Sequence, residues 1–317
     1  MKSSIKRVLP PRLVSFGQES RAKLRRYRER REVSREFQRD AKRYARFMLV
    51  SDGLVHREIT GANLEAQLTK DYHRIEKGLA LPNPRHPFGA VVRARIALLA
   101  GSADGTPYVT HVDTARTALD EWNDTGVISE EIAPTAPSSA APFEGVQSFF
   151  ESRHSVRSFQ NLPVAQALID EAVTLAINTP SVCNRQSWRV RFYFDGDVER
   201  VLQHQNGNAG FGHTVPVVAL VTVDQRFFAG PTERNQGFID GGLFAMSLVW
   251  ALHGLGLGTC MLNLSLSSTA MTALRSEAGF GEDETAIMMI AIGHGQPGYR
   301  RARSPRRHLS EVRLDRL

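Results

Sequence analysis

Cysteine is nearly absent: Cys183 and Cys260 are the only two in 317 residues. That excludes a disulfide framework and points to a reducing compartment. Neither cysteine has metal-ligand spacing, and the ten histidines are scattered without an H-x-x-x-H pair, so no metal site is expected. Hydrophobic runs of 18 residues are lacking, which argues against a membrane span. The basic start MKSSIKRVLPPRLVSF has no apolar signal core and no small-residue cleavage site. The expectation is a cytoplasmic, soluble protein. There is no G-x-S-x-G elbow, no Walker A loop and no internal repeat, which removes the commonest hydrolase and nucleotide-triphosphate readings. A lone cysteine in an apolar stretch, as at Cys260, is read as packing rather than as a nucleophile.

What is present is an ordinary globular composition, 42% apolar and 23% charged, in a chain long enough for about two domains. Its charge is unevenly placed. The whole chain carries +7, but residues 1–50 hold sixteen Lys and Arg against five Asp and Glu, a local +11 that leaves −4 for the remainder. Within this basic stretch Leu24, Tyr27, Phe37, Ala41, Tyr44 and Met48 recur mostly three or four apart, one apolar stripe on an arginine-rich helix. Three roles compete for residues 1–50: a solvated helix docking its stripe on the protein body, a contact with an anionic membrane surface or acidic partner, and nucleic-acid binding. The last is disfavoured because no nucleic-acid module accompanies the charge.

Residues 51–125 read as a helical extension. Inside it DYHRIEKGLALPNPRHPFG turns from charge to three prolines and predicts an irregular turn. His73, Glu76 and Lys77 in that run form either a surface network or part of a site. Residues 126–147 are rich in Pro, Ser and Ala without periodicity, so they read as a linker. Beyond them helices alternate with short apolar strands. VAQALIDEAVTLAIN is an amphipathic helix with Pro163 near its start, WRVRFYF alternates like a strand, and PVVALVTV and TAIMMIAIGHG read as core strands. FIDGGLFAMSLVWALHGLG is apolar nearly all round and predicts a central, buried helix. The fold class is α+β with a mostly helical N-terminal extension.

Four segments carry more polar specificity than a fold requires. ESRHSVRSF places Arg153, His154, Ser155 and Arg157 together, a donor set suited to phosphate or to plain surface charge. NTPSVCNRQSWRV sets Asn184, Gln186 and Ser187 in a loop that either faces a planar heterocycle or merely turns. GLGLGTCMLN has Gly254, Gly256 and Gly258 after a helix, the wrong context for a dinucleotide fingerprint. SPRRHLSEV carries Arg306 and Arg307 near the C-terminus.

In this order, with DGGLFAMSLVWALHGLGLGTCMLN and IAIGHGQPG between them, the segments resemble the FMN-dependent nitroreductase family over about residues 148–317. The resemblance implies a mixed sheet flanked by helices in an intertwined homodimer, with FMN at the interface. It implies that Arg153, His154, Ser155 and Arg157 hold the phosphate and ribityl chain. Pro180, Ser181, Val182 and Asn184 would lie along the ring edge from the partner subunit, and Asn206 or Asn208 at its polar rim. Met261, Leu262, Asn263 and Leu264 would pass beside N5, and Arg306 or Arg307 would reach the phosphate. The implied activity is ping-pong hydride transfer from NAD(P)H through FMN to a small-molecule acceptor, with no obligatory side-chain acid or base. Two alternatives stand beside it: a flavin dehydrogenase or oxidase that works without NAD(P)H on a biosynthetic intermediate, and a non-catalytic scaffold recruiting partners through the basic helix. Asn263 and Leu264 replace the small residue and glycine usual beside N5. The HRIEKGL extension is similar to that of a variant among bacterial polysaccharide-biosynthesis proteins, where it would cover the flavin and give a dedicated pocket.

Overall fold

The computed structural model describes residues 11–48, 59, 61–135 and 144–315. The first residues of the expected helical extension, 51–58, and the middle of the expected linker, 136–143, lie outside them. Helix α1 (Pro11–Phe47) covers the basic segment. Arg and Glu are good helix formers, and the pairs Arg25–Glu29 (2.9 Å) and Arg39–Glu36 (3.0 Å) span single turns. Docking of the apolar stripe on the protein body, one of the three roles, is confined to its C-terminal end. Tyr27 and Phe37 are 58% and 70% exposed, and Leu24 also faces solvent. The helix is held instead by polar side chains on another face. Arg43 donates to the Thr285 hydroxyl (2.7 Å) and the Glu284 carbonyl (3.3 Å), and Ser268 donates to Glu36 through both its N–H and its hydroxyl. Met48, at the end of the stripe, packs against the main core.

The helical extension comprises α2 (Gly61–Leu79), α3 (Ala90–Leu99) and α4 (Val109–Thr125). Leu64, Leu68, Tyr72, Ile75 and Leu79 form the buried stripe of α2 against Ile96, Leu99, Val112, Leu119 and Trp122. The charged half of the DYHRIEKGL run is therefore helical, and only the proline-rich half is irregular. His73 accepts or donates at 3.0 Å with Glu76, both about one-third exposed, a network at the surface of α2. Beneath it Asp71 is fully buried and meets Arg95 through two hydrogen bonds, one of 2.6 Å. Ile132 and Ala133 pack on this helical core, so the start of the expected linker is docked.

The sheet unit follows, with α5 (Val146–Ser152), α6 (Gln166–Ala176), β1 (Trp188–Phe194), α7 (Gly196–Leu202), β2 (Val217–Asp224), α8 (Gln236–Gly254), β3 (Gly258–Asn263), α9 (Ser268–Ala278), β4 (Glu284–Gly293) and α10 (Leu309–Val312). The strand order is β1-β2-β4-β3, every pairing antiparallel. Among the described residues a parallel element enters only as the isolated bridge between Ser155 and Thr259. All eight residues of β2 are buried, as a continuous apolar run predicts. One core lies between the sheet and α6 with α8, and the other between the sheet and α7 with α9. Helix α8 is only half buried, against the expectation of a fully buried element: Phe238, Ile239 and Leu243 are 51%, 53% and 45% exposed. No described helix is long and apolar enough to cross a membrane, and no described His, Cys, Asp and Glu cluster could hold a metal ion.

Candidate functional site

The segment after α5 is positioned by two strands. Ser155 bridges Thr259, and Val156 donates to the Thr259 carbonyl at 2.8 Å. Gln160 donates to the His294 carbonyl at 2.8 Å just beyond β4. This clamp holds Arg153 and His154 at a recess of about 290 Å³, shared with His253, Gly256, Gly258, Thr259 and Tyr299. The Arg153 guanidinium stands 5.8 Å above the Trp250 ring, a cation–π contact that fixes its direction. Neither Arg153 nor exposed Arg157 has an ion pair among the described residues.

His154 has both ring nitrogens engaged. Nδ1 faces the Ser152 carbonyl at 2.7 Å, so it must carry a proton, and Nε2 meets the Tyr299 hydroxyl. In a neutral imidazole the tyrosine is then the donor. His154 thus braces the recess from within. His253 is the neighbour that sequence reasoning missed: its Nε2 approaches the Ser152 hydroxyl (2.9 Å) and the Phe149 carbonyl (3.2 Å). Burial pushes the His253 pKa below its ordinary value, a hydrogen bond to Phe149 opposes it, and the neighbouring Arg153 adds to the lowering. A lowered pKa means that the unfolded chain binds the proton first as pH falls below about 6.5. Stability is accordingly full above that pH and declines below it. Thermal melting between pH 7.5 and 5 is expected to show this decline, and His253→Gln is expected to flatten it; identical pH slopes would exclude the residue.

The glycines of GLGLG have separate reasons. Gly256 has φ +81° and reverses the chain after α8. Gly258 lies flat on Val156, where a Cβ would come within 2.8 Å of a methyl group. Cys260, two residues on, is buried and its thiol is pushed up by that burial, which fits packing rather than nucleophilic use.

The second predicted segment is a strained loop. Cys183, Asn184 and Gln186 all adopt positive φ, +48°, +52° and +46°. Three non-glycine residues in that region within four positions mark a loop whose shape its surroundings impose. Asp240 of α8 supplies part of that constraint, accepting from Val182 N–H at 3.2 Å while Gln236 donates to its other oxygen at 2.8 Å. The Ser181 hydroxyl accepts from Gln186 N–H at 3.0 Å, and buried Arg185 pairs with Glu233 at 2.8 Å. Pro180 is exposed beside them. The helical extension lies over this loop. Glu65, Tyr72, Tyr108 and His111 share a recess of about 420 Å³ with Asn184 and Gln186. Burial raises the Glu65 carboxyl above the ordinary carboxylate range, and Arg189 opposes the shift.

Met261, Leu262 and Asn263 end β3, and Leu264 follows at the mouth of a larger cleft. Gln205, unforeseen in the sequence, anchors this end by donating to the Asn263 carbonyl at 2.9 Å. Asn208 spends its amide inside its own loop, donating to the Leu202 and Gln205 carbonyls at 2.7 Å each. Asn206 is exposed in the same turn. Arg306 and Arg307 are exposed, outside the Arg153 recess; Arg306 donates to the Ser304 carbonyl at 2.8 Å.

A family model described as the nitroreductase family matches residues 150–200 and 191–294. No curated protein matches the chain. Among solved structures, one described as a nitroreductase in complex with FMN, from Desulfovibrio desulfuricans, is 21% identical. It aligns over 56% of this chain and 99% of its own with a TM-score of 0.47. An FMN-dependent nitroreductase from Clostridium difficile is 18% identical over 50% of this chain and 92% of its own, TM-score 0.44. A nitroreductase family protein from Streptococcus pneumoniae is 18% identical over 54% and 99%, TM-score 0.47. Through residues 150–294, the sheet with its flanking helices, the chain resembles the nitroreductase family.

Proposed function

We propose that residues 148–317 form an FMN-binding oxidoreductase unit that passes a hydride from NAD(P)H to a small-molecule acceptor. The observation that carries this reading is the Arg153 recess. The Arg153 guanidinium, which has no ion pair among the described residues, meets a left-handed glycine turn at Gly256 there, with exposed Arg157 in the same segment, and these donors suit a phosphate monoester. Bound FMN supplies a two-electron centre at N5.

The chain's own residues do the positioning. Arg153 and Arg157 neutralise the phosphate, and Ser155 donates to it or to the ribityl chain. His154, locked between Ser152 and Tyr299, holds that corner rigid. Pro180, Ser181, Val182 and Asn184 lie along the ring edge of the partner subunit's flavin. The strain in their loop, held by Asp240, keeps that edge preformed. Met261 through Leu264 pass the N5 side, and Asn208 orders the turn beside them. A homodimer is supported by the exposed apolar row Phe238, Ile239 and Leu243 on α8, a face too greasy to be left to water. The extension, seated on the 182–186 loop, narrows access to the ring and selects the acceptor. The test is FMN retention by the native chain against its Arg153→Ala, Arg157→Ala variant.

A further inference from the structure

A cleft of about 620 Å³ lies between the C-terminal half of α1, helix α9 and the start of β4. Five cations line it, Arg39, Lys42, Arg43, Arg46 and Arg275, against three carboxylates, Glu36, Asp40 and Glu282. Those carboxylates are taken: Glu36 by Arg39 at 3.0 Å, Asp40 by Arg43 at 3.7 Å, and Glu282 by Arg46 at 2.8 Å. Lys42 and Arg275 have no ion pair among the described residues. The Arg275 Nε is enclosed and has no hydrogen-bond partner, and a buried donor left unmade is costly. Burial, and then the nearby charge of Arg43, pulls the Arg275 pKa below the ordinary arginine range. Two guanidiniums thus face one another across a half-enclosed space, and Glu282, Asp40 and Asp283 offset their charge only in part. The walls beside them are apolar: Phe238, Leu264, Leu266 and Met271.

We propose that this cleft binds a small organic anion, a phosphate monoester or a carboxylate on an apolar body, between Arg43 and Arg275. Resting on the flavin reading above, which puts Leu264 beside the ring, that anion is the acceptor substrate. Helix α1 is then the roof of the substrate site, which accounts for its being fastened by Arg43 and Glu36 rather than by its apolar stripe.

The experiment is isothermal titration of the FMN-saturated full chain with phenyl phosphate, benzoate and benzyl alcohol, with flavin absorption read in the same samples. FMN saturation keeps the probe out of the Arg153 recess. At least one anion is expected to bind about tenfold or more tighter than the neutral alcohol, and Arg275→Met to remove that advantage. The tighter of the two anions identifies phosphate or carboxylate as the group recognised. Lys42→Ala, at an exposed position outside the packing, is expected to weaken the anion about threefold even if Arg275→Met does not fold. Equal binding of all three probes, or binding indifferent to both variants, overturns the proposal. So does adsorption to phosphatidylserine vesicles without affinity for either anion, which would assign the arginines to a membrane surface. Flavin retained without anion binding defeats this proposal alone. Arginine-dependent anion binding by a chain that takes up no FMN defeats the flavin reading and the substrate assignment but upholds the anion site.

Discussion

Replacing Arg153 and Arg157 together by alanine is expected to weaken FMN binding by at least about 100-fold, while circular dichroism and melting temperature stay close to native. The size follows from two charge-assisted contacts to one phosphate, each worth about 1.5–3 kcal/mol. The retained fold follows from position. Arg157 is exposed, and Arg153 touches Trp250 only through its guanidinium. Their surroundings are held by backbone bonds from Val156 and Gln160, which the substitutions leave in place. Arg153→Lys keeps the charge but loses the planar fork and its stacking on Trp250, so an intermediate loss is expected. A double variant that binds FMN as tightly as the native chain would detach the recess from the cofactor.

The largest stability effect is expected in the other half of the molecule. Asp71 has no exposed surface and accepts from Arg95 at two atoms and from Gln67 at 2.9 Å, with Arg74 at 3.5 Å. Asp71→Ala leaves the Arg95 guanidinium, a side chain only 10% exposed, without its carboxylate. Breaking one partner of a buried pair costs about 3–5 kcal/mol, a large fraction of the stability of a domain of this size. Urea unfolding should show that loss in the midpoint, and Arg95→Met with Asp71→Leu should recover much of it. A change of less than about 1 kcal/mol in Asp71→Ala would mean that the pair is not holding α2 to α3.

Much of the fold was legible because its signals are local. The alternation in WRVRFYF coincides with β1 and the unbroken run in PVVALVTV covers all but the last residue of β2, although only β2 is buried as its pattern implies. Strand β3 was not legible. Its six residues begin at Gly258 and show no alternation, and what makes them a strand is pairing with β4 and close packing on Val156. The stripe on α1 shows a further limit. Periodicity reveals that a helix has an apolar face but not whether another element covers it. Here the holding contacts, Glu36 to Ser268 and Arg43 to Thr285, join residues more than 200 positions apart.

The candidate site divides in the same way. Arg153, Ser155 and Asn184 stand in compact motifs and can be read as units. Tyr299, His253 and Gln205 come from far along the chain to His154, Ser152 and the Asn263 carbonyl, through hydrogen bonds that no motif records. A histidine one turn before the GLG reversal was the one visible hint. Asn208 shows the converse: a residue placed at the ring by resemblance has its amide bound to its own loop.

Hydride transfer through a flavin held at the Arg153 recess is open to a direct measurement: NADPH is added anaerobically to the FMN-loaded protein. The visible flavin absorption is expected to bleach within the mixing time and to return when an acceptor is admitted. Flavin absorption that persists at saturating NADPH and NADH would contradict the claim.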